Sequence, residues 1–487
     1  MPSVEEALPR HKGIFYGGSW RDPVSPSWVE IIAPATGKVL TTTMQASASD
    51  VPLAVAAARN GFDVWRGVPP LERAGILREM ARLVRNHARE FALLDAHNCG
   101  SPLRHLDYEA DRCGFVLEYF AGLVTEMKGH SVPQGFDSIS FSVREPYGVV
   151  ARIAASNHPL LFTVGKAAAV LAAGNSIVIK PPHQAPLSAL RSAEIFDGLL
   201  PPGVFNVLTG GREVGAALAS DPGVAMVGLV GGSDAGRSVL HAAADTIKRT
   251  IMELSGKNAL IALPDADPER VAAGMVRGMN YTWCGQSMSS PTRAFVHADI
   301  CDAVLARLPA HLAKVRPGLP EDPQTTMGSL IDRTAFEKVK SYIAIGIEEG
   351  AKLIYGGHPP TDPALSTGYF MLPTIFADVT MNMRIARDEI FGPVQAVLKW
   401  TDEAEMLRQV NELEFGLSCS VWTRDVTRAH RIVSRVEAGF CWINEASRHA
   451  QGSPFGGYKQ SGLGREECLE ELLAFTQEKN IIIGLGS

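Results

Sequence analysis

Between residues 148 and 254 the chain repeats one pattern: a short apolar run, a turn, then an amphipathic stretch. GVVARIA, SIVIKPP, VFNVLTG, AMVGLVG and RTIMEL read as strands. HPLLFTVGKAAAVLAAG, LSALRSAEIFDGLL, GREVGAALAS and SDAGRSVLHAAAD read as the helices between them. Strands that alternate with helices pair parallel, because each crossover helix returns the chain to the same end of the sheet. The helices then cover both faces. Such sheets bind ligands at the carboxyl ends of their strands, so the pattern constrains function as well as fold.

At 487 residues the chain is too long for one hydrophobic core, and two or three domains are expected. A second α/β segment runs from 257 to about 450. Residues 51–125 read as helices, with apolar positions at three- and four-residue spacing in DVPLAVAAARNGFDVW and LERAGILREMARLVRNHAREFALL. SISFSVRE (138–145) alternates Ile139, Phe141 and Val143 with polar residues, the period of a half-buried strand. It has no obvious local partner. A surface hairpin and an arm that pairs with another subunit are both open readings. The tail EKNIIIGLGS ends in a short apolar strand.

The net charge of −6 argues against nucleic acid or an anionic membrane as partner. The N-terminus lacks the basic-then-apolar order of a signal peptide. LLFTVGKAAAVLAAG carries Lys166 and is too short to span a bilayer. Seven scattered cysteines without a C-x-x-C pair fit a reducing cytosol, and no metal site is expected.

Four polar residues stand where apolar surroundings make them costly. Asn157 follows the strand VVARIAAS; its amide can donate to a developing oxyanion, or it caps the helix that follows. Lys180 ends the strand SIVIK and can meet ribose or phosphate, or simply be solvated. Glu253 ends TIMEL; half-buried, it can serve as a general base, or pair with Lys257. Glu389 lies in RDEIFGPV, a site residue or a surface turn. The turn GGSDAG can place backbone N–H groups on a phosphate, but lacks the spacing of a dinucleotide fingerprint or P-loop.

In this order and spacing the segments resemble the NAD(P)-dependent aldehyde dehydrogenases, from about residue 15 to 483. The motifs are SNHP, VIKPPHQAPLSAL, LVGGSDAG, MELSGKN, EIFGPV and SPFGGYKQSGLGRE. The resemblance implies an α/β fold: a Rossmann-type NAD(P) domain over 1–129 and 148–256, an α/β catalytic domain over 257–455, and a β-strand oligomerisation element over 130–147 and 468–487. It implies a homodimer or homotetramer. It implies that a cysteine thiolate attacks the aldehyde, that Asn157 holds the oxyanion, and that Glu253 activates water against the resulting thioester. NAD or NADP would contact Ile153, Ser156, Lys180, His183, Gly211, Gly232, Ser233, Leu254, Glu389 and Phe391. An aldehyde would contact His158, Phe162, Ser289, Arg448, His449 and Phe455.

One departure dominates. The family's cysteine follows Gly-Gln by two residues, and in CGQSMSSPTR that position is Met288. A thioether has no proton to lose and cannot become a thiolate. Ser287 and Ser289 are expected to point elsewhere, and Cys284 lies up to about 13 Å away in an extended chain. The thiol was removed by alteration, lost in a natural homologue, or is not needed for the chain's reaction. Two further readings therefore stand beside a blocked aldehyde dehydrogenase. One is a non-catalytic dinucleotide- or aldehyde-binding homologue. The other is a lyase, isomerase or hydrolase using Glu253 and Asn157.

Smaller departures touch specificity. His183 replaces a glutamate that would repel a 2′-phosphate, so NADP should be tolerated. Ser255 replaces a glycine and Ser156 a bulky aromatic residue. His158, Arg448 and His449 suggest a polar or carboxylated aldehyde, and Phe162 and Phe455 an aromatic or aliphatic body.

Overall fold

A computed structural model describes residues 3–486. The repeating pattern builds an eight-stranded sheet. Its centre is five parallel strands in the order Phe205–Val207, Ser176–Lys180, Val149–Ile153, Val224–Val230, Arg249–Glu253. Strand order reverses between Val149–Ile153 and Val224–Val230, which opens a crevice at their carboxyl ends. A hairpin of Ile14–Tyr16 and Ser19–Arg21 closes one edge, and Gly462–Leu463 from the tail closes the other, both antiparallel. One face is covered by Pro70–Asn86, Glu109–Gly122 and Leu187–Ile195, the other by Val51–Trp65, Arg212–Ser220 and Ser233–Ala244.

The segment after Lys257 forms a second, seven-stranded sheet centred on Ala259–Ala262 and Arg293–His297, parallel except for the edge strand Lys352–Tyr355. The strand Ser138–Pro146 finds a partner far away in sequence. It pairs antiparallel with Thr476–Gly484 along nine residues, Phe141 opposite Ile481 and Ile139 opposite Ile483. Ser131–Val132 covers its other side. Ile139, Ile482 and Ile483 remain exposed.

One expected helix differs. HPLLFTVGKAAAVLAAG begins as a π-turn over Leu161–Gly165, with the Lys166 N–H donating to the Leu161 carbonyl at 3.0 Å, and only then becomes the α-helix Ala167–Ala172. The wider turn brings Leu161, Phe162, Gly165 and Lys166 onto one cavity wall. Among the described residues, no helix is long and apolar enough to cross a membrane. No group of three or more His, Cys, Asp or Glu is gathered at metal-holding distance among them either.

The tail is fastened to the first sheet by charge. Glu466 accepts from Arg152 on the central strand at 2.9 Å and from Lys166 at 2.7 Å, all three buried. Removing Glu466 leaves the buried Arg152 without a carboxylate and Lys166 with only Glu253, at 3.7 Å. Glu466→Ala is expected to cost ~3–5 kcal/mol, read as a lower urea midpoint at unchanged slope.

Candidate active site

The loop 284–290 is built by its neighbours. Gly285 adopts φ +70°, and a Cβ there would lie 2.5 Å from the Gly392 carbonyl oxygen, so only glycine fits. Gln286 donates to the Trp283 and Ser329 carbonyls at 3.0 and 3.3 Å and accepts from the Ile331 N–H at 3.0 Å. Asn258 donates to the Met288 and Ser290 carbonyls at 2.6 and 3.0 Å. A Cβ at Gly256 would sit 2.2 Å from the Met288 carbonyl. The segments MELSGKN, CGQSMSSPTR and EIFGPV thus interlock through backbone contacts.

Met288 is buried, and it lines a cavity of about 200 Å³ together with Asn157, Glu253, His158, Phe162, Ser289, His449 and Phe455. Ser287 lines it as well, because 287–289 forms a turn. The expectation that both flanking serines point elsewhere is therefore corrected: their hydroxyls lie 3.2 Å apart, facing the cavity with Met288. Cys284 is fully buried in the second sheet's core, and burial raises its thiol far above the usual range.

Asn157 does not cap the following helix. Its Nδ2 donates to the Gln286 carbonyl at 2.9 Å, and its Oδ1 is buried without a partner. One amide N–H is spent on the loop and the other remains. Glu253 is paired with Lys166, at 3.7 Å, and not with Lys257. Burial pushes Glu253 up to about 7, with Lys166 pulling against it. Burial opposes the Lys166 ammonium, but Glu466 and Glu253 outweigh it and hold it above the ordinary lysine range. Lys257 is itself buried with no partner on its Nζ.

The crevice of the first sheet holds a second group. Lys180 is buried at its strand end rather than solvated. It donates to the Pro181 carbonyl at 2.9 Å, has no carboxylate in ion-pair reach among the described residues, and is pushed down by burial to about 8. Ile153 and Lys180 both border Gly215. Gly211 precedes the helix Arg212–Ser220 and donates to the Glu213 carboxylate at 3.2 Å. Gly232 and Ser233 start the helix Ser233–Ala244 and, with Ser255 and Glu389, line a cleft of about 750 Å³. Ser255 Oγ accepts from the Ser233 N–H at 3.0 Å, using one of that helix's first donors. Glu389 accepts from the Gly256 N–H at 3.0 Å, and burial raises its carboxyl. Leu254 is buried against Gly236, and Phe391, at φ +57°, packs half-buried against the core beneath the first sheet that also contains Met288 and Phe455. Ser156 is half-buried, its carbonyl accepting from Cys99 Sγ at 3.2 Å. His183 is largely exposed at the surface, and the partial desolvation of its ring together with the Lys180 charge lowers its imidazole.

Arg448 is not brought to the cavity. It is exposed, and its carbonyl instead accepts from the Trp442 indole at 2.8 Å. Residues not foreseen line the wall: Tyr108, Arg112, Lys166, Trp283, Glu467 and Glu471. Lys166 carried a signal, a lone charge in an apolar helix. The acidic residues of GREECLEE carried none, since such a run usually marks a solvated face.

A sequence model of the aldehyde dehydrogenase family matches residues 20–481. The chain is 47% identical to "Aldehyde dehydrogenase tropH" of Talaromyces stipitatus, over all of this chain and 96% of that one. The NAD+ complex of an aldehyde dehydrogenase from Bacillus cereus superposes with a TM-score of 0.96 at 34% identity, covering 100% of this chain and 99% of that one. An NADP-dependent enzyme of E. coli superposes with 0.94 at 31%, covering 99% of each.

The Glu253 carboxyl is expected to titrate near pH 7, acid below and carboxylate above. Difference infrared spectroscopy should show a carboxyl band that vanishes as pH rises through that value and is absent in Glu253→Gln. Lys166→Met should move the midpoint upward, because it removes the cation that favours the carboxylate.

Proposed function

Because the chain belongs to the aldehyde dehydrogenase family, we propose that its cavity receives an aldehyde and its crevice NAD or NADP, with thiol chemistry blocked at Met288. The observation that carries this reading is the Met288 side chain standing in one cavity with Asn157 and Glu253. The residues at the crevice fit a dinucleotide. Lys180 has N–H donors to spare for ribose hydroxyls, the helix start at Gly232–Ser233 suits a pyrophosphate, and the Glu389 carboxylate can accept from the second ribose. When bound, NAD(P) supplies the hydride acceptor. Ile153, Ser156, His183, Gly211, Leu254 and Phe391 would frame it.

Asn157 would hold an oxyanion with its free N–H. Glu253 would take a proton from water, with its carboxyl poised near neutrality for that transfer. Met288 offers no thiolate and fills space where a carbonyl carbon would sit. His158, Phe162, Ser289, His449 and Phe455 would enclose the aldehyde, and Arg448 takes no part. In domain terms we assign cofactor binding to 1–129 and 148–256 and catalysis to 257–455. The paired strands within 130–147 and 468–487, with their exposed isoleucines, would form the contact of a homodimer or homotetramer. Seven unpaired cysteines support a cytosolic location.

Met288→Cys is expected to oxidise aldehydes with NAD(P), more than ~10³-fold faster than the unaltered chain. Cofactor binding without any gain across a broad aldehyde panel would instead mark a binding homologue. An activity already present and lost in Glu253→Gln would mark thiol-free chemistry. Because His183 is held neutral, we expect NADP to be tolerated through the lack of a repelling charge. NADH and NADPH should bind the unaltered chain with Kd values within about tenfold of one another by cofactor fluorescence, and His183→Glu should weaken NADPH selectively.

A further inference from the structure

The cavity contains a guanidinium that its own neighbours leave unused. Arg112 lies in the first turn of the helix Glu109–Gly122, on the same face as Val116 and Phe120, and all three line the cavity. Its nearest carboxylate, Glu467, is 3.8 Å away, beyond hydrogen-bond reach. Among the described residues none of its side-chain N–H groups is hydrogen-bonded. Arg85, Arg152 and Arg191, by contrast, each donate directly to a carboxylate.

The local charge decides what such a group can bind. Glu467 is held by His449 at 3.1 Å, and Glu109, buried nearby, by His158 at 3.3 Å. Two carboxylates therefore already balance the Arg112 charge, while their hydrogen bonds go to the histidines. A ligand carboxylate would add a third negative charge to this corner. A neutral oxygen acceptor would take the idle N–H groups without that penalty.

Aromatic rings line part of the wall, beside polar residues such as Asn280, Ser447 and Gln451. His158 lies 4.3 Å from Trp283 and 5.6 Å from Phe162, and His449 lies 4.6 Å from Phe455, ring centre to ring centre. A cavity of about 150 Å³ holds benzene in another protein, so about 200 Å³ has room for one substituted ring.

We propose that Arg112 is a substrate-binding residue, and that the cavity takes a monocyclic aromatic aldehyde with a neutral oxygen acceptor on its ring, the aldehyde toward Met288 and the acceptor toward Arg112. This rests on the reading of the cavity as an aldehyde site. It replaces the carboxylated substrate suggested by Arg448 and the histidines.

The test is calorimetric titration of the unaltered chain and of Arg112→Met and Arg112→Lys. The probes are benzaldehyde, meta- and para-methoxybenzaldehyde, and meta- and para-carboxybenzaldehyde. At least one methoxy isomer is expected to bind about tenfold or more tighter than benzaldehyde. That advantage, taken as the ratio of methoxybenzaldehyde to benzaldehyde affinity within each protein, should vanish in Arg112→Met and persist in part in Arg112→Lys, with the circular dichroism spectrum and thermal midpoint of each protein as the control for folding. Methoxy and plain rings binding equally to all three proteins would overturn the role of Arg112 and leave the aldehyde cavity standing. Tightest binding of a carboxybenzaldehyde, lost in Arg112→Met, would overturn the neutral-acceptor assignment. Binding of no probe to any of the three would overturn the aldehyde site itself.

Discussion

Much of this molecule hangs on one buried carboxylate. Glu466 bonds Arg152 on the central strand and Lys166 on the π-turn, and so ties the tail to the sheet that builds the crevice. Burial opposes its charge, but Lys166 and Arg152 outweigh that and hold it down to about 2. The same bond fixes where the Lys166 ammonium sits, and Lys166 is the cation that tempers Glu253. Structure and chemistry share these atoms: a change at the tail is felt as a change in the titration of the cavity carboxyl.

The surrounding charges explain why Glu253 is poised. Glu109, Glu253, Glu466, Glu467 and Glu471 share the cations Arg112, Arg152 and Lys166, with His158 bonded to Glu109 and His449 to Glu467. A low-dielectric region tolerates no such excess, so two carboxyls hold protons near neutrality. Burial pushes both Glu253 and Glu471 to about 7. A proton-accepting group is thus kept ready by a charge balance in which Met288 plays no part.

Much was legible in the chain. The five central strands fall where the apolar runs place them, since period and length are local properties. Asn157, Glu253, Met288, Phe162 and Phe455 do share one cavity. What was not legible involved partners distant in sequence. SISFSVRE has the period of a strand, but its mate begins some 330 residues later, at Thr476. Glu253 was weighed against the nearby Lys257, and its partner is Lys166. Arg448 stood near a substrate motif, yet its backbone, not its guanidinium, is what the fold uses.

The sequence by itself determined the parallel α/β architecture, the family and the absence of a thiol at 288, because these depend on residue identity, spacing and order. Only the tertiary structure decided which charges neutralise one another and which are left idle. Lys180 stood out in one dimension at a strand end, whereas nothing in the sequence set Arg112 apart. Folding buries Lys180 without a carboxylate in reach, and turns the partly exposed Arg112 into the cavity with no hydrogen bond to its guanidinium among the described residues.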